Sequence, residues 1–146
     1  MEQRVNLEQS QPEVWKAMYA LSGAVSKSAL SAIQKHLIMV RTSQINSCAF
    51  CLNMHTKEAL KAGETQQRLF VLSAWKETTL FTEEEKAILA LTEEVTLITE
   101  NGVSDSTYKQ AEKFFSAKMI GEIIMSIVAM NAWNRIAVST HMPLGE

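Results

Sequence analysis

Two cysteines and a histidine lie close together in the segment CAFCLNMH, residues 48 to 55. If this segment is helical, the turn of roughly 100° per residue places Cys48, Cys51 and His55 within about 60° of one another on one face. Because His55 lies one turn beyond Cys51, we expect Cys51 to be its direct partner. Cys48 is expected in the first turn, where free backbone N–H groups and the helix dipole favour a thiolate. The spacing therefore predicts a reactive dithiol.

Such a dithiol supports two related reactions. A thiolate that attacks a peroxide becomes a sulfenic acid, which condenses with a nearby thiol to give a disulfide, and an external dithiol then resets the pair. The same pair can instead exchange electrons with another disulfide through mixed disulfides. We therefore expect peroxidase or disulfide reductase chemistry at this site.

Two other interpretations of the same residues remain open. Buried cysteines often serve only as small hydrophobic residues, and the methionines are likewise expected to fill the core. A closed zinc site needs four ligands, and Cys48, Cys51 and His55 would have only His36 or His141 to complete it. The redox interpretation is preferred because two cysteines at this spacing with a histidine on the same face are an uncommon coincidence.

The elements that position this site are expected to be helices throughout. The sequence has two prolines, five glycines and no sustained alternation of apolar and polar residues. The clearest boundary is a capping box of Thr82 and Glu85. The predicted helices run from about Ser10 to Gly23, Ser28 to Ile45, Asn46 to Lys61, Thr65 to Ser73, Thr82 to Ile98, Ser104 or Asp105 to Phe115, and Met119 to Val138. We expect one all-α domain over residues 1–146, with its redox core at about residues 36–80.

The last predicted helix carries apolar residues on more than one face: Ile120, Ile123, Ile124, Ile127, Val128 and Met130. This pattern indicates burial on several sides. A homo-oligomer formed through this helix is the economical explanation, and a central core helix would look similar.

Charge and hydropathy exclude several classes of protein. The 14 basic and 16 acidic residues are interspersed, so no basic stripe indicates nucleic acid or an anionic membrane. The polar start lacks the apolar region of a signal peptide, and no apolar stretch is long enough to cross a bilayer. We expect a cytoplasmic protein in a reducing compartment.

The segment HLIMVRTSQINSCAFCLNMHTKEALKAGE resembles the core of the alkylhydroperoxidase D-like branch of the carboxymuconolactone decarboxylase family. The likeness continues through Ile98 and includes the late segment NAWNRIAVSTHMP, so it covers most of the chain. Its pattern R-x-S-x-x-N-x-C-x-x-C-x-x-x-H is carried here by Arg41, Ser43, Asn46, Cys48, Cys51 and His55.

The resemblance implies an all-helical fold assembled as a trimer or a hexamer, without a bound metal or organic cofactor. It also implies a hydroperoxide substrate and an external dithiol or disulfide reductase as electron donor. In the family the second cysteine is the more accessible one, so the resemblance favours Cys51 as the attacking residue, with Cys48 as its partner and His55 in a proton relay. Arg41 and Ser43 are expected to be structural.

Two positions depart from the family pattern. His36 lies twelve residues before the first cysteine, where family members commonly carry a glutamate of the relay, and Phe50 lies between the cysteines, where the best-known peroxidases have histidine. A neutral imidazole accepts a proton near pH 7, so His36 is a candidate to replace the glutamate, with a packing role as the alternative. Glu58, three residues after His55, is a lesser candidate to orient that imidazole.

Two alternative functions use different chemistry. The decarboxylation that names the family needs no cysteine pair, and a non-catalytic redox sensor would use the dithiol without turnover. We therefore predict a peroxiredoxin-like alkylhydroperoxidase with Cys51, Cys48, His55 and His36 at its site.

Overall fold

The computed structural model describes residues 2–144, which form helices joined by short loops. No β-strand occurs among these residues, so the predicted all-α fold is confirmed. A 3₁₀ helix (Leu72–Glu77) follows the fifth α-helix. The α-helices are α1 (Leu7–Ser10), α2 (Pro12–Ser26), α3 (Ala32–Ile45), α4 (Ala49–Lys61), α5 (Gln66–Val71), α6 (Glu83–Thr96), α7 (Ile98–Asn101), α8 (Asp105–Glu112) and α9 (Ala117–Thr140). Within residues 2–144, no helix has the length and apolar content needed to span a bilayer.

Helices α3 and α6 each begin directly after a residue whose side chain caps the helix. The Thr82 hydroxyl accepts from the Glu85 backbone N–H at 3.1 Å, which confirms the predicted capping box. A second capping box of Ser31 and Gln34 starts α3 at Ala32, so the predicted start near Ser28 is wrong. The last helix is longer than predicted at both ends, and the short helices α1 and α7 were not predicted.

The turn between α3 and α4 displaces the start of the cysteine helix. Ser47 has a left-handed backbone, with φ of 53°. Its N–H bonds to the Gln44 carbonyl at 3.2 Å and the Cys48 N–H bonds to the Ser43 carbonyl at 3.0 Å, which is the Schellman arrangement that ends a helix. As a result α4 begins at Ala49, and Cys48 is its N-cap residue rather than a member of its first turn.

Helix α3 lies at the centre of the packing and contacts α4, α6 and α9. Its Arg41 guanidinium pairs with the Glu93 carboxylate of α6 at 2.8 Å. The same carboxylate accepts from the Trp75 indole and the Lys76 ammonium, each at 2.8 Å. Arg41 therefore ties α3 to α6 and to the 3₁₀ helix, which agrees with the structural role expected for it.

Helix α9 packs against α2, α3, α4, α6 and α8. This central position accounts for the apolar residues on several of its faces, which the sequence left open between a core helix and an interface. Met125 and Val128 still have exposed fractions of 44% and 42%. A short apolar strip of α9 is thus left on the surface.

Candidate active site

The two cysteines meet at the start of α4. The Cys51 backbone N–H donates to the Cys48 sulfur at 3.4 Å, and the Cys51 thiol bonds to the same sulfur. Both residues are free thiols with an exposed fraction of 1%. The N-cap position thus brings one sulfur within reach of the other and of a free backbone donor.

The two cysteines have different pKa values. The hydrogen bond from the Cys51 thiol lowers the pKa of Cys48 to about 6, supported by the Cys51 backbone N–H and the Asn134 side chain and opposed by burial. The same thiol contact, together with burial, raises the pKa of Cys51. At neutral pH the thiolate therefore lies on Cys48, and Cys51 holds the proton between the two sulfurs.

Asn134 of α9 links the dithiol to the preceding motif residues. Its side chain contacts both sulfurs. Its amide donates to the Ser43 hydroxyl at 3.0 Å, and its carbonyl accepts from the Asn46 amide at 3.0 Å. The motif residues Ser43 and Asn46 therefore hold a fully buried amide against the cysteines, a role for Asn134 that the sequence reading missed.

His55 lies one turn beyond Cys51, but its hydrogen bond goes to a different residue. Its Nδ1 bonds to the Glu58 carboxylate at 2.8 Å, and its buried Nε2 has no partner. The predicted direct contact with Cys51 is therefore not formed. Burial lowers the pKa of His55 against the opposing influence of Glu58, so the imidazole is neutral at pH 7. A carboxylate only accepts hydrogen bonds, so Nδ1 carries the proton and Nε2 is the basic nitrogen.

His36 extends from α3 toward the same histidine. Burial lowers its pKa, and the charges that act on it most strongly after burial are those of Glu58 and His55. Donor atoms of His36, His55 and Glu58 all lie within 4.8 Å of one another. The structure thus places His36 beside the His55–Glu58 pair.

A cavity of about 300 Å³ opens onto one sulfur of the pair. Cys51 and His55 line it, whereas Cys48 and His36 do not. Its wall is mostly apolar and comes from α2, α3, α4, α9 and the chain that follows α9: Trp15, Tyr19, Ser22, Val25, Ser26, Met39, Phe50, Met54, Ser126, Ala129, Met130, Trp133, Ala137 and Met142. A small molecule in the cavity would therefore meet Cys51 first.

Most of the cavity wall was not predicted from the sequence. Trp15, Tyr19 and Trp133 pack edge to face, with Trp15 and Trp133 ring centroids 5.1 Å apart. Four methionines expected to be core filler also line the wall: Met39, Met54, Met130 and Met142. Aromatic residues at helical spacing near both ends of the chain were the available signal, but nothing in their spacing indicated that α2 and α9 meet.

The zinc site considered from the sequence is not assembled. Among residues 2–144, the group of donor atoms close enough to hold a metal ion is that of His36, His55 and Glu58, which includes neither sulfur. His141 lies at the end of α9, where its ring bonds to the Glu2 carbonyl at 3.2 Å. The dithiol and the cluster of imidazoles are therefore separate, neighbouring features.

Comparison with known proteins places this site in a family. The sequence model of the carboxymuconolactone decarboxylase family matches residues 12–94. The uncharacterized protein YdfG of Bacillus subtilis (strain 168) is 37% identical over 139 residues, which are 95% of each chain. A crystal structure of an Agrobacterium tumefaciens protein of unknown function, provisionally named an antioxidant defence protein AhpD, is 38% identical with a TM-score of 0.96, over 99% of both chains.

More distant crystal structures share the fold alone. A peroxidase-related protein with an alkylhydroperoxidase AhpD core, from Ralstonia eutropha JMP134, has a TM-score of 0.83 at 17% identity, over 95% of this chain and 74% of that one. The debrominase Bmp8 has a TM-score of 0.82 at 14% identity, over 94% of this chain and 74% of that one. The fold is thus shared by a debrominase and by an uncharacterized peroxidase-related protein, so it does not fix the reaction, while the matched sequence identifies the family. The chain belongs to the carboxymuconolactone decarboxylase family, in its alkylhydroperoxidase D-like branch.

Proposed function

We propose that this protein is a thiol-dependent peroxidase that reduces organic hydroperoxides with Cys48 and Cys51 and is reset by an external dithiol. The observation that supports this most is the position of Cys51, which lines the apolar cavity and is hydrogen-bonded to the thiolate of Cys48. The cavity favours a hydroperoxide with an apolar body, because its wall is mostly apolar and half of its residues are aromatic or methionine.

The first step requires the proton of Cys51 to leave. The Cys48 thiolate already accepts a hydrogen bond from that thiol, and the neutral His55 borders the same cavity. Either group can take the proton as Cys51 attacks the peroxide. The S–O bond forms as the O–O bond breaks, and the departing alkoxide takes a proton and leaves as the alcohol. Cys51 is then a sulfenic acid.

The second step closes the disulfide. The Cys48 thiolate attacks the sulfenic sulfur of Cys51, the S–S bond forms, and hydroxide takes a proton and leaves as water. An external dithiol then attacks the disulfide, passes through a mixed disulfide, and departs oxidised while both cysteines regain their reduced state. One hydroperoxide and one dithiol are consumed in each cycle.

The histidines supply the proton path of this mechanism. Glu58 fixes the Nδ1 proton of His55, which leaves Nε2 as the acceptor on the buried side. His36 lies next to this pair and occupies the position at which relatives commonly carry a glutamate. We assign His36 to the relay as the group that exchanges the proton onward through His55 and Glu58.

The proposal includes assembly into a trimer or a hexamer, which the family resemblance implies. Exposed apolar residues on separate elements support it, including Phe70 with an exposed fraction of 78% and the Met125–Val128 strip of α9.

An assay of hydroperoxide turnover distinguishes the candidate functions. Untagged protein is given cumene hydroperoxide and excess dithiothreitol, and peroxide loss is followed beside a Cys48→Ser/Cys51→Ser control. We expect many turnovers per chain from the wild-type protein and none from the control, and mass spectrometry without reductant should show a loss of two hydrogens per chain.

Other outcomes identify other functions. A single oxidation without turnover, with any of several dithiols, would make the protein a redox sensor. Carbon dioxide release from a muconolactone, undiminished in the control, would make it a decarboxylase. Either result would overturn the peroxidase proposal.

A further inference from the structure

Three potential metal ligands meet between α3 and α4, beside the dithiol. His36 comes from α3, and His55 and Glu58 lie one turn apart on α4. Each offers one donor atom to a set whose members all lie within 4.8 Å of one another. Two imidazole nitrogens and one carboxylate oxygen form a donor set that zinc uses with water in an open fourth position.

The two imidazoles have unused nitrogen atoms. Nδ1 of His36 and Nε2 of His55 are both buried and make no hydrogen bond. The His55 side chain is only 8% exposed. Buried polar atoms are normally paired, so the orphaned Nδ1 of His36, beside the His55–Glu58 pair, indicates a missing partner. A bound ion would replace the proton that His55 Nδ1 shares with Glu58. Burial also keeps both rings neutral at pH 7, which is the form that binds a metal ion.

Access and geometry are both compatible with an ion. The Glu58 side chain is 46% exposed, which provides a path from solvent to the histidines. Donor atoms bound to zinc at about 2.0–2.1 Å lie ~3.4 Å apart in a tetrahedron. The observed spacing of up to 4.8 Å therefore closes with small rotations of the three side chains.

We propose that His36, His55 and Glu58 form a reversible zinc-binding site, and that bound zinc suppresses thiol oxidation by occupying His55. The binding depends on the three side chains alone. The suppression rests on the proposed function, in which His55 takes part in proton transfer. This set differs from the zinc ligands considered from the sequence, because it uses neither cysteine.

Zinc binding is tested first without the dithiol. Untagged Cys48→Ser/Cys51→Ser protein is titrated with zinc by calorimetry, and we expect one ion per chain. Adding His36→Gln to this background should weaken binding by at least about tenfold. The matched control is His141→Asn, which removes the third histidine at a left-handed position that asparagine tolerates, and binding should be unchanged.

Zinc binding and the suppression of thiol oxidation can be refuted independently of each other. If the protein without cysteines binds no zinc, or binds it equally well with His36→Gln, the site does not exist. For the suppression, zinc should inhibit hydroperoxide turnover by proteins that keep the dithiol, and the half-inhibiting concentration should rise with His36→Gln by the factor seen in calorimetry. If His36→Gln leaves the half-inhibiting zinc concentration unchanged, the inhibitory zinc is bound to the sulfurs instead. Absence of turnover in zinc-free buffer would instead refute the peroxidase proposal and leave the binding result standing.

Discussion

At the scale of single residues, the two sulfurs differ in charge and in access. Cys48 carries the thiolate but does not line the cavity, whereas Cys51 lines the cavity but holds the proton. The assignment of Cys51 as the attacking residue therefore depends on access and on a short proton transfer rather than on its resting charge. The local geometry makes that transfer possible, because the proton already lies between the two sulfurs.

The first prediction concerns this division of roles. Cys51→Ser should abolish peroxide consumption, because Cys48, the other cysteine, does not line the cavity. Cys48→Ser should allow one oxidation that stops as a sulfenic acid, which dimedone labelling and mass spectrometry would detect. A stable sulfenic acid on Cys48 in the Cys51→Ser variant would reverse the assignment and make the low-pKa thiolate the nucleophile.

The second prediction concerns His36. Its lowered pKa means that the ring is neutral at pH 7 and gains a proton only below its ordinary value of 6.5, so activity should fall on acidification. General acid–base assistance contributes about 10²–10⁴-fold, so His36→Ala should slow thiol oxidation within this range. His36→Glu should retain most of the rate and move the acidic limb, because a carboxylate then titrates in the same field.

Stopped-flow oxidation of the reduced protein between about pH 5.5 and 8 measures both effects. The titratable groups that act on His36 are Glu58, His55, Glu64 and Lys35, and all four remain in both variants. His141→Asn serves as the control, because it removes a histidine that neither lines the cavity nor belongs to the imidazole cluster. A wild-type rate for His36→Ala at every pH, with the fold intact, would make His36 a packing residue.

At the scale of helices, the turn between α3 and α4 determines where the dithiol lies. Ser47 is exposed and left-handed, and its conformation directs the Cys48 N–H back to α3. A non-glycine residue in this conformation costs about 1–2 kcal/mol relative to a right-handed one. The chain therefore carries some strain at the residue that makes Cys48 an N-cap.

The third prediction follows from that strain. Ser47→Gly should stabilise the protein by up to about 1 kcal/mol, because glycine adopts the left-handed region readily and the greater freedom it gives the unfolded chain offsets part of the gain. The matched control is Ser139→Gly, at an exposed right-handed position of α9, which should destabilise it by about 0.5–1 kcal/mol. Denaturant unfolding compares the two. Equal destabilisation would mean that Ser47 is not held left-handed in solution.

Features encoded locally could be predicted from the sequence. The capping box at Thr82, the end of α4 near Lys61 and the helix that carries Cys51 and His55 all depend on residues within one or two turns of each other. The contact of His36 with the His55–Glu58 pair could not be predicted, because it depends on how α3 crosses α4. Asn134 was missed for the same reason, since it reaches the sulfurs from 83 residues further along the chain than Cys51.

At the scale of the whole molecule, the apolar surface bears on assembly. The fourth prediction is that the purified protein sediments as a trimer or a hexamer of its 16.3 kDa chain. Met125→Glu on the exposed strip of α9 should shift the distribution toward smaller species if that strip lies in an interface, because a buried unpaired charge is unfavourable. Lys118→Glu, on the surface near the start of the same helix, is the control. A monomer at all concentrations for the wild-type protein would contradict the proposed assembly.

The aromatic cluster over Cys51 gives the protein an intrinsic optical reporter. Two of the three tryptophans, Trp15 and Trp133, line the cavity, while Trp75 packs elsewhere against Lys76 and Glu93. In a Trp75→Phe variant, tryptophan fluorescence then comes from the cavity wall alone. Cumyl alcohol, the product of cumene hydroperoxide, should change that emission when it binds. Unchanged emission would mean that the cavity does not admit the product. Ligand binding in the cavity can thus be measured by tryptophan fluorescence, without a label and without any reaction of the cysteines.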